Sequence, residues 1–287
     1  MLRSSLQLLR PLHWIKNLFV LAPLLFAQHL FDSNELGLAL VAFCVFCLLS
    51  SAVYAFNDVQ DAERDRAHPH KSLRPVASGR IRPAAALVAS ACLAVAALGL
   101  AFALRWSFGA VGLVYLGLNL VYSRWLKRIA FVDVLLIAAG FVLRVVGGAL
   151  VIEVEISIWL VPCTFFLACL LGFGKRRHEL ETQPDDNTTR PALAGYSARS
   201  LRIAEVLAAL MSLLCYLAYS LAPGTVAKFG THWLVATLPF PALGVWRYLH
   251  LVESKRDLPP TEALVGDAPS WLNLIAWVVA VTWILYA

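Results

Sequence analysis

Acidic and amide side chains are concentrated in one polar stretch, residues 57–79, which lies between two apolar runs. Asn57, Asp61 and Asp65 are spaced at i, i+4 and i+8, so on a helix they lie along one face. Asp58 lies beside them. Two carboxylates about 4 Å apart repel by about 4 kcal/mol at an effective dielectric constant near 20, so the cluster needs cations. Hard oxygen ligands suit Mg²⁺, with Mn²⁺ as the alternative ion.

The sequence therefore predicts a metal site that holds a phosphate group. The predicted metal ligands are Asn57, Asp58, Asp61 and Asp65, and the three aspartates are also the predicted catalytic residues. Lys71 and Arg74 follow the acids and are predicted to bind substrate oxygens that the metal leaves free. A purely structural network between the acids and the arginines of the same stretch is the alternative.

A second charged cluster, GKRRHELE at residues 174–181, follows an apolar run. Lys175 and Arg176 are its predicted phosphate ligands, and Lys175 also forms an i, i+4 pair with Glu179. The alternative is a positively charged anchor at the cytosolic membrane face. The polar segment behind it, residues 182–197, is long enough to act as a lid.

Weaker signals mark five further residues as substrate contacts. They are Lys16, Asn17, Tyr122, Ser123 and Lys127. The first two lie at the start of an apolar run and the other three lie at or just beyond the end of one. Interfacial anchoring is the alternative for the second group.

Asp133 and Arg144 are charged residues inside one long apolar run. Asp133 lies near the start of that run, where a polar site role is plausible. An arginine within a membrane costs at least about 2.5–3.5 kcal/mol, so Arg144 must face a partner or a cavity. A structural partner is favoured over a ligand.

Composition indicates that a membrane must position these groups. The chain of 287 residues is 60% hydrophobic and 15% charged, and its mean hydropathy is +0.72. These values predict an all-α integral membrane protein with a single catalytic domain over residues 1–287. Nine spans are predicted, at residues 12–31, 36–56, 83–104, 107–123, 129–151, 156–174, 201–221, 231–250 and 270–287.

The distribution of cations predicts the orientation of these spans. With the N-terminus in the cytosol and the C-terminus outside, 21 of the 24 Lys and Arg residues lie on the cytosolic side. The long polar connections lie on the same side. An alternating-access transporter would place its polar groups near the middle of the membrane, so an enzyme at the cytosolic face is favoured.

The acidic stretch resembles the first aspartate-rich motif of the UbiA-type membrane prenyltransferase superfamily, and the resemblance covers nearly the whole chain. The matching positions are Asn57, Asp61, Asp65, Lys71, Arg74-Pro75 and Ala77-Ser78-Gly79. It implies a nine-helix bundle with a cytosolic-facing polar cavity, and Mg²⁺ held by two aspartate-rich motifs that bind a diphosphate. The second motif is missing, because GKRRHEL occupies its place.

The whole pattern is closest to the decaprenyl-phosphate phosphoribosyltransferase branch of that superfamily. Supporting stretches are RPLHWIKN at 10–17, NDVQDAERDRAHPHKSLRP at 57–75, YSRWLKR at 122–128, VDVLLIAAGFVLRVVGGA at 132–149 and GKRRHEL at 174–180. The resemblance implies a pentosyltransferase of the bacterial plasma membrane. Such an enzyme moves 5-phosphoribose from phosphoribosyl diphosphate (PRPP) to a polyprenyl phosphate, in synthesis of arabinose donors for the cell envelope.

Two other functions remain open at this point. One is a prenyltransferase that moves a polyprenyl group onto an aromatic or other small acceptor. The other is a lipid carrier or channel without catalysis. No nucleic-acid partner is expected, since the cations follow the membrane topology, and the sequence leaves the oligomeric state open.

Overall fold

The computed structural model describes residues 2–67, 71–182, 191–254 and 258–287. Every element among these residues is helical, which confirms the predicted all-α class. Half of the predicted lid, residues 183–190 of 182–197, lies outside the described residues.

The chain divides into two compact units, the first made of Met1–Arg128 and Gly140–Glu155. Its α-helices are α1 (Leu2–Leu9), α2 (Ala22–Phe26), α3 (Ser33–Gln60), α4 (Ala62–Arg66), α5 (Pro83–Leu104), α6 (Trp106–Arg124) and the second half of α7 (Val132–Val151). Three 3₁₀ segments join them, Pro11–Leu21, Lys71–Leu73 and Leu126–Arg128.

The second unit consists of Ile129–Ala139 and Ile156–Ala287. It holds the start of α7, and then α8 (Leu160–Thr182), α9 (Ala198–Leu221), α10 (Pro223–Phe229), α11 (Pro239–Ser254), α12 (Pro260–Val265) and α13 (Ala268–Tyr286). Two 3₁₀ segments, Pro191–Gly195 and Trp233–Thr237, belong to it as well. That the two units act as one catalytic domain stays a prediction.

The longest helix, α3, continues past its apolar part and carries the start of the polar stretch at its C-terminal end. The Asp32 side chain begins the helix by accepting hydrogen bonds from two backbone N–H groups of the first turn. Its 28 residues span about 42 Å at 1.5 Å per residue, more than the hydrocarbon core of about 30 Å. Apolar residues such as Phe46 and Leu49 are fully buried in the core of the first unit. Asn57 and Asp58 lie in the last turn.

Six helices among the described residues are long and apolar enough to cross a membrane. They are α3, α5, α6, α7, α9 and α13, and each overlaps a predicted span. The other three predicted spans are also helical but fall outside this group. Span 12–31 is the 3₁₀ segment Pro11–Leu21 with α2, span 156–174 falls largely within α8, and span 231–250 is Trp233–Thr237 with α11. The count of nine and the orientation stay predictions.

Candidate active site

The acidic stretch is not one continuous helix, since α3 ends at Gln60 and α4 begins at Ala62. Asp61 lies at the break. Its backbone N–H still donates to the Asn57 carbonyl (2.9 Å), and the Asp65 N–H donates to the Asp61 carbonyl (2.8 Å). The i, i+4 hydrogen bonds are therefore retained although the regular helix is interrupted.

Arginine side chains join the two buried acids of this stretch. Arg74 Nη1 lies 2.5 Å from Asp65 Oδ2 and 3.8 Å from Asp58 Oδ1. Asp58 also forms an ion pair with Arg10, a residue to which the sequence assigned no role. The only sequence signal for Arg10 was its place at the head of the RPLHWIKN stretch, and its pairing with Asp58 appears only in the fold. Two arginines and two carboxylates of the first unit thus form one cluster.

Asp61 is held from a different element. Its Oδ1 lies 2.6 Å from Lys127 Nζ, which belongs to the 3₁₀ segment Leu126–Arg128. The structure therefore brings together one of the predicted catalytic acids and a predicted substrate-binding lysine.

Tyr122 is half-buried near the end of α6, whereas Ser123 is buried and its hydroxyl donates to the Asn119 carbonyl of the same helix (2.7 Å). A substrate contact through Ser123 thus has no geometric support.

Two oxygens of the cluster suit a divalent cation. Asn57 Oδ1 and Asp58 Oδ2 are buried and have no hydrogen-bond partner among the described residues. Buried acceptors are normally satisfied, and hard cations prefer oxygen ligands of this type. In the described part of the chain, however, no three His, Cys, Asp or Glu side chains converge as a preformed metal cluster. The donor chemistry fits Mg²⁺, and the metal ligands stay a prediction.

The other predicted substrate contacts of the first unit lie in 3₁₀ segments. Lys16 and Lys71 are half-buried in 3₁₀ segments. Asn17 is fully buried and all its described contacts are with protein groups, because it donates to Cys47 and Ser50 and accepts from a buried arginine. These contacts give Asn17 a structural position, and the substrate contact stays a prediction.

In the second unit the basic run of α8 is tied into ion pairs. Arg176 is buried, its Nε lies 2.6 Å from Asp133 Oδ2, and it also donates to Glu179. Lys175 is more exposed, and its Nζ lies 3.9 Å from Glu179 Oε1, which confirms the predicted i, i+4 pair. The guanidinium of Arg176 is thus committed to carboxylates, so Lys175 is the more accessible cation for a phosphate.

Asp133 also connects this run to the segment that precedes α9. Tyr196 donates from its hydroxyl to Asp133 Oδ1 (2.6 Å), and the same hydroxyl accepts the backbone N–H of Phe131 (2.6 Å). Burial and the hydrogen bond to the Asp133 carboxylate raise the pKa of Tyr196 above its ordinary value, so the phenol stays protonated at neutral pH. Asp133 thus joins Arg176 of α8 to Tyr196, and a polar role for it in the site stays a prediction.

Arg177 fixes the same end of α8 to its neighbours. It is buried, and its Nε lies 2.8 Å from Glu205 Oε2 of α9. A side chain at Gly174 would meet the Tyr248 hydroxyl and Glu205 Oε1, so the backbone of α8 approaches both helices closely. These contacts explain part of the basic run by packing and charge pairing alone.

Comparisons with known proteins agree with this fold. The family model described as the UbiA prenyltransferase family matches residues 17–275. The decaprenyl-phosphate phosphoribosyltransferase of Mycolicibacterium smegmatis is 30% identical over 281 residues, which cover 94% of this chain and 88% of that protein. The enzyme of the same name from Mycobacterium tuberculosis is 31% identical, with 95% and 91% covered. A UbiA homolog from Archaeoglobus fulgidus, solved with GPP and Mg²⁺, matches with a TM-score of 0.74 at 17% identity and covers 99% of this chain and 100% of its own. The chain belongs to the UbiA prenyltransferase family, as the sequence resemblance had indicated.

Proposed function

We propose that this protein moves 5-phosphoribose from PRPP to a polyprenyl phosphate, such as decaprenyl phosphate, and releases pyrophosphate. Two relatives that match over 94–95% of the chain carry the name of that activity. The geometric observation that carries the proposal is the acid cluster of the first unit, in which Asp58 and Asp65 share Arg74 while two oxygens stay unpaired. We place the reaction at the cytosolic face of a bacterial plasma membrane, in synthesis of arabinose donors for the cell envelope.

Mg²⁺ is the proposed cofactor, and its ligands are Asn57, Asp58, Asp61 and Asp65. The unpaired Asn57 and Asp58 oxygens support this assignment, and a homologue with the same fold binds Mg²⁺. When bound, the ion would stabilise the negative charge that develops on the leaving diphosphate.

The cations of the cluster bind the anionic groups of the substrates. Arg74 and Lys127 already lie within 2.5–2.6 Å of carboxylate oxygens, so their charges are oriented toward the same small region. Charge-assisted hydrogen bonds from such groups to phosphate oxygens are short and strong. Lys71 and Lys16 are proposed to supply further positive charge. In the second unit Lys175 is the proposed phosphate ligand, and Arg176 positions it through their shared contact with Glu179.

The proposed reaction needs no strong general base. The bond between C1 of the ribose and the diphosphate oxygen breaks, and its electron pair leaves with pyrophosphate. An oxygen of the lipid phosphate, ionised near neutral pH, supplies the electron pair for the new bond to C1. The acids and cations of this chain hold both anions in place while the charge shifts. The isoprenoid tail of the acceptor lies among the apolar helices.

Membranes that contain the protein test this proposal with PRPP labelled in its ribose and a polyprenyl phosphate. We expect Mg²⁺-dependent transfer of the label into the organic phase. Transfer of an isoprenyl chain onto an aromatic acid, without ribose transfer, would support the prenyltransferase function instead. If neither product forms, the carrier or channel function is favoured.

The Asp61→Asn substitution tests the acid cluster. We expect turnover to fall by more than about 100-fold, as when one preorganised charge contact is removed from a transition state. The matched control is Glu63→Gln, which neutralises an exposed acid of α4 two residues further on. Equal turnover in Asp61→Asn and wild-type protein, at equal folded yield, would contradict the assignment.

A further inference from the structure

The N-terminal segment of residues 10–21, which we call the strap, contacts one face of α3 in a regular series. From the inner end to the acid cluster, the contacts are Asn17 with Cys47 Sγ (3.3 Å) and Ser50 Oγ (3.2 Å), Trp14 Nε1 with Ser51 Oγ (3.0 Å), the rings of His13 and Tyr54 (5.3 Å between centroids), and Arg10 with Asp58. Residue numbers fall along the strap as they rise along α3, so the two segments run antiparallel. The last contact is with an acid of the proposed site.

The strap has a conformation that it does not favour by itself. Residues Pro11–Leu21 form a 3₁₀ helix of 11 residues, whereas 3₁₀ runs longer than three or four residues are uncommon. Arg10 precedes it with φ 52° and ψ 61°, in the left-handed region that a non-glycine residue seldom adopts. Contacts with other elements must therefore hold the strap. The backbone at Arg10 persists because its surroundings determine it.

Arg144 of α7 anchors the inner end of the strap. Its Nε donates to Asn17 Oδ1 (2.7 Å), its Nη2 to the Tyr115 hydroxyl (2.8 Å) and its Nη1 to the Gly140 carbonyl (2.7 Å). The guanidinium carbon also lies 4.8 Å from the centre of the Tyr115 ring and 5.8 Å from that of Phe46. One buried cation thus joins the strap, α6 and α7.

The acceptors that Arg144 uses for these bonds are all neutral. A buried charge adds little net stability to a helix bundle, and its best-attested use is to set one specific arrangement of the helices. Asn17 is well suited to this role because its amide oxygen contacts Arg144 while its amide nitrogen contacts α3. The orientation of the Asn17 side chain therefore fixes the position of the strap along α3.

We propose that Asn17 and Arg144 are positioning residues for the acid cluster. They hold the strap in the register that places the Arg10 guanidinium on Asp58, and thereby fix the orientation of that carboxylate. The proposal rests on the proposed function, because it takes the acid cluster as the site of a diphosphate and Mg²⁺. Neither residue contacts the substrate in this account, and Asn17 acts through Arg10.

Binding of pyrophosphate with Mg²⁺ to the full-length protein in nanodiscs, measured by calorimetry, tests the proposal without turnover. Asn17→Leu and Arg144→Met should each weaken binding by about tenfold, within the usual range of coupling between contacting residues. Asn17→Asp keeps an oxygen for Arg144, and its second oxygen can accept from the Ser50 hydroxyl in place of the bond that the amide nitrogen donates. Binding by this variant should stay within about threefold of wild type. In the double variant Asn17→Leu/Arg144→Met, we expect binding no weaker than in Arg144→Met alone.

The matched control is Ser90→Ala, which removes a hydrogen bond from α5 to the Ala52 carbonyl of α3 but lies outside the strap. We expect this variant to bind like wild type. If Asn17→Leu and Arg144→Met both bind pyrophosphate as tightly as the wild type, the inference is overturned and the proposed function stands. Equal losses of binding in all variants, including Ser90→Ala, would also overturn it, because they would indicate a general effect of disturbed packing.

Absence of binding in the wild type would overturn the proposed function together with the inference, which distinguishes the two failures. If Arg144→Met does not fold, the comparison of Asn17→Leu with Asn17→Asp carries the test by itself. Rescue by aspartate supports positioning through Arg144. Equal loss in both variants contradicts it.

Discussion

Asp267 shows how a single side chain of this protein combines a cap and an ion pair. It precedes α13 and accepts the backbone N–H of Ser270 (3.1 Å) and the Ser270 hydroxyl (2.7 Å). Its two oxygens also accept from Arg247 Nε (3.0 Å) and Nη2 (2.7 Å). The Arg247 guanidinium and, after it, the Ser270 contacts hold the pKa of Asp267 well below its usual range. The carboxylate therefore stays ionised throughout the neutral and mildly acidic range.

We expect Asp267→Asn to lower Tm by a few degrees at pH 7, because asparagine still caps a helix but loses the ion pair. The folded pKa is lower than the unfolded value of about 3.9, so this stabilisation is present above that pH and is lost as the pH falls toward the folded value. Thermal unfolding of both proteins at pH 7 and pH 3 measures the effect. The Tm difference should shrink at pH 3.

Asp32 provides the control for this prediction, since its carboxylate caps α3 through backbone N–H groups. Asp32→Asn should change Tm little at pH 7, because asparagine also caps a helix. A Tm difference for Asp267→Asn that stays constant from pH 7 to pH 3 would refute the ion-pair account.

At the scale of elements, α7 and the strap pack closely against each other in the first unit. A Cβ added at Gly148 would collide with the carbonyl oxygen of Val20, and one added at Gly147 would lie 2.9 Å from the Phe46 ring. Backbone atoms yield less readily than the end of a flexible side chain. The two glycines thus allow α7 to pack where Arg144, one turn earlier, reaches Asn17.

Gly148→Ala is therefore expected to destabilise the protein by about 1–3 kcal/mol, the usual cost of overpacking a core. It should also weaken binding of pyrophosphate with Mg²⁺, because displacement of the strap moves Arg10. The control is Gly117→Ala in α6, where nothing lies within 4 Å of the added Cβ. Unfolding in detergent should show no loss for Gly117→Ala, and equal stability of both variants would argue against the close approach.

At the scale of the whole molecule, the distribution of charge along the chain remains the basis for its orientation. The cations outside the cytosolic group are Arg105, Lys228 and Arg144. Arg105 pairs with Glu153 in the first unit, and Arg144 is buried among neutral acceptors. Exposed cations therefore remain rare on the predicted outer side, as the positive-inside rule requires.

This orientation predicts the behaviour of reporter fusions. Alkaline phosphatase joined after Ala287 should be active, and the same reporter joined after Arg128 should be inactive, because the enzyme folds only outside the cytosol. A green fluorescent protein at the same two points should give the opposite pattern and serves as the control for expression. Active phosphatase at Arg128 would contradict the predicted topology.

The sequence by itself determined the properties that depend on composition and short-range spacing. Apolar runs predicted an all-α membrane protein, and six of the runs coincide with helices long enough to span a membrane. The spacing of Asn57, Asp61 and Asp65 indicated one face of a helix, and the structure keeps the i, i+4 backbone hydrogen bonds across the break. The motifs also indicated the family correctly. The first two follow from composition and from spacing within a few helical turns, whereas the family rests on the resemblance of the motifs.

Only the tertiary structure decided which charges meet. Arg10 pairs with Asp58 across 48 residues, Arg176 with Asp133 across 43, and Arg144 with Asn17 across 127. These pairings add Arg10 to the acid cluster, and they support the positioning roles proposed for Asn17 and Arg176. A cation in a sequence shows that a counter-charge or acceptor is needed, but the packing of distant helices decides which group supplies it.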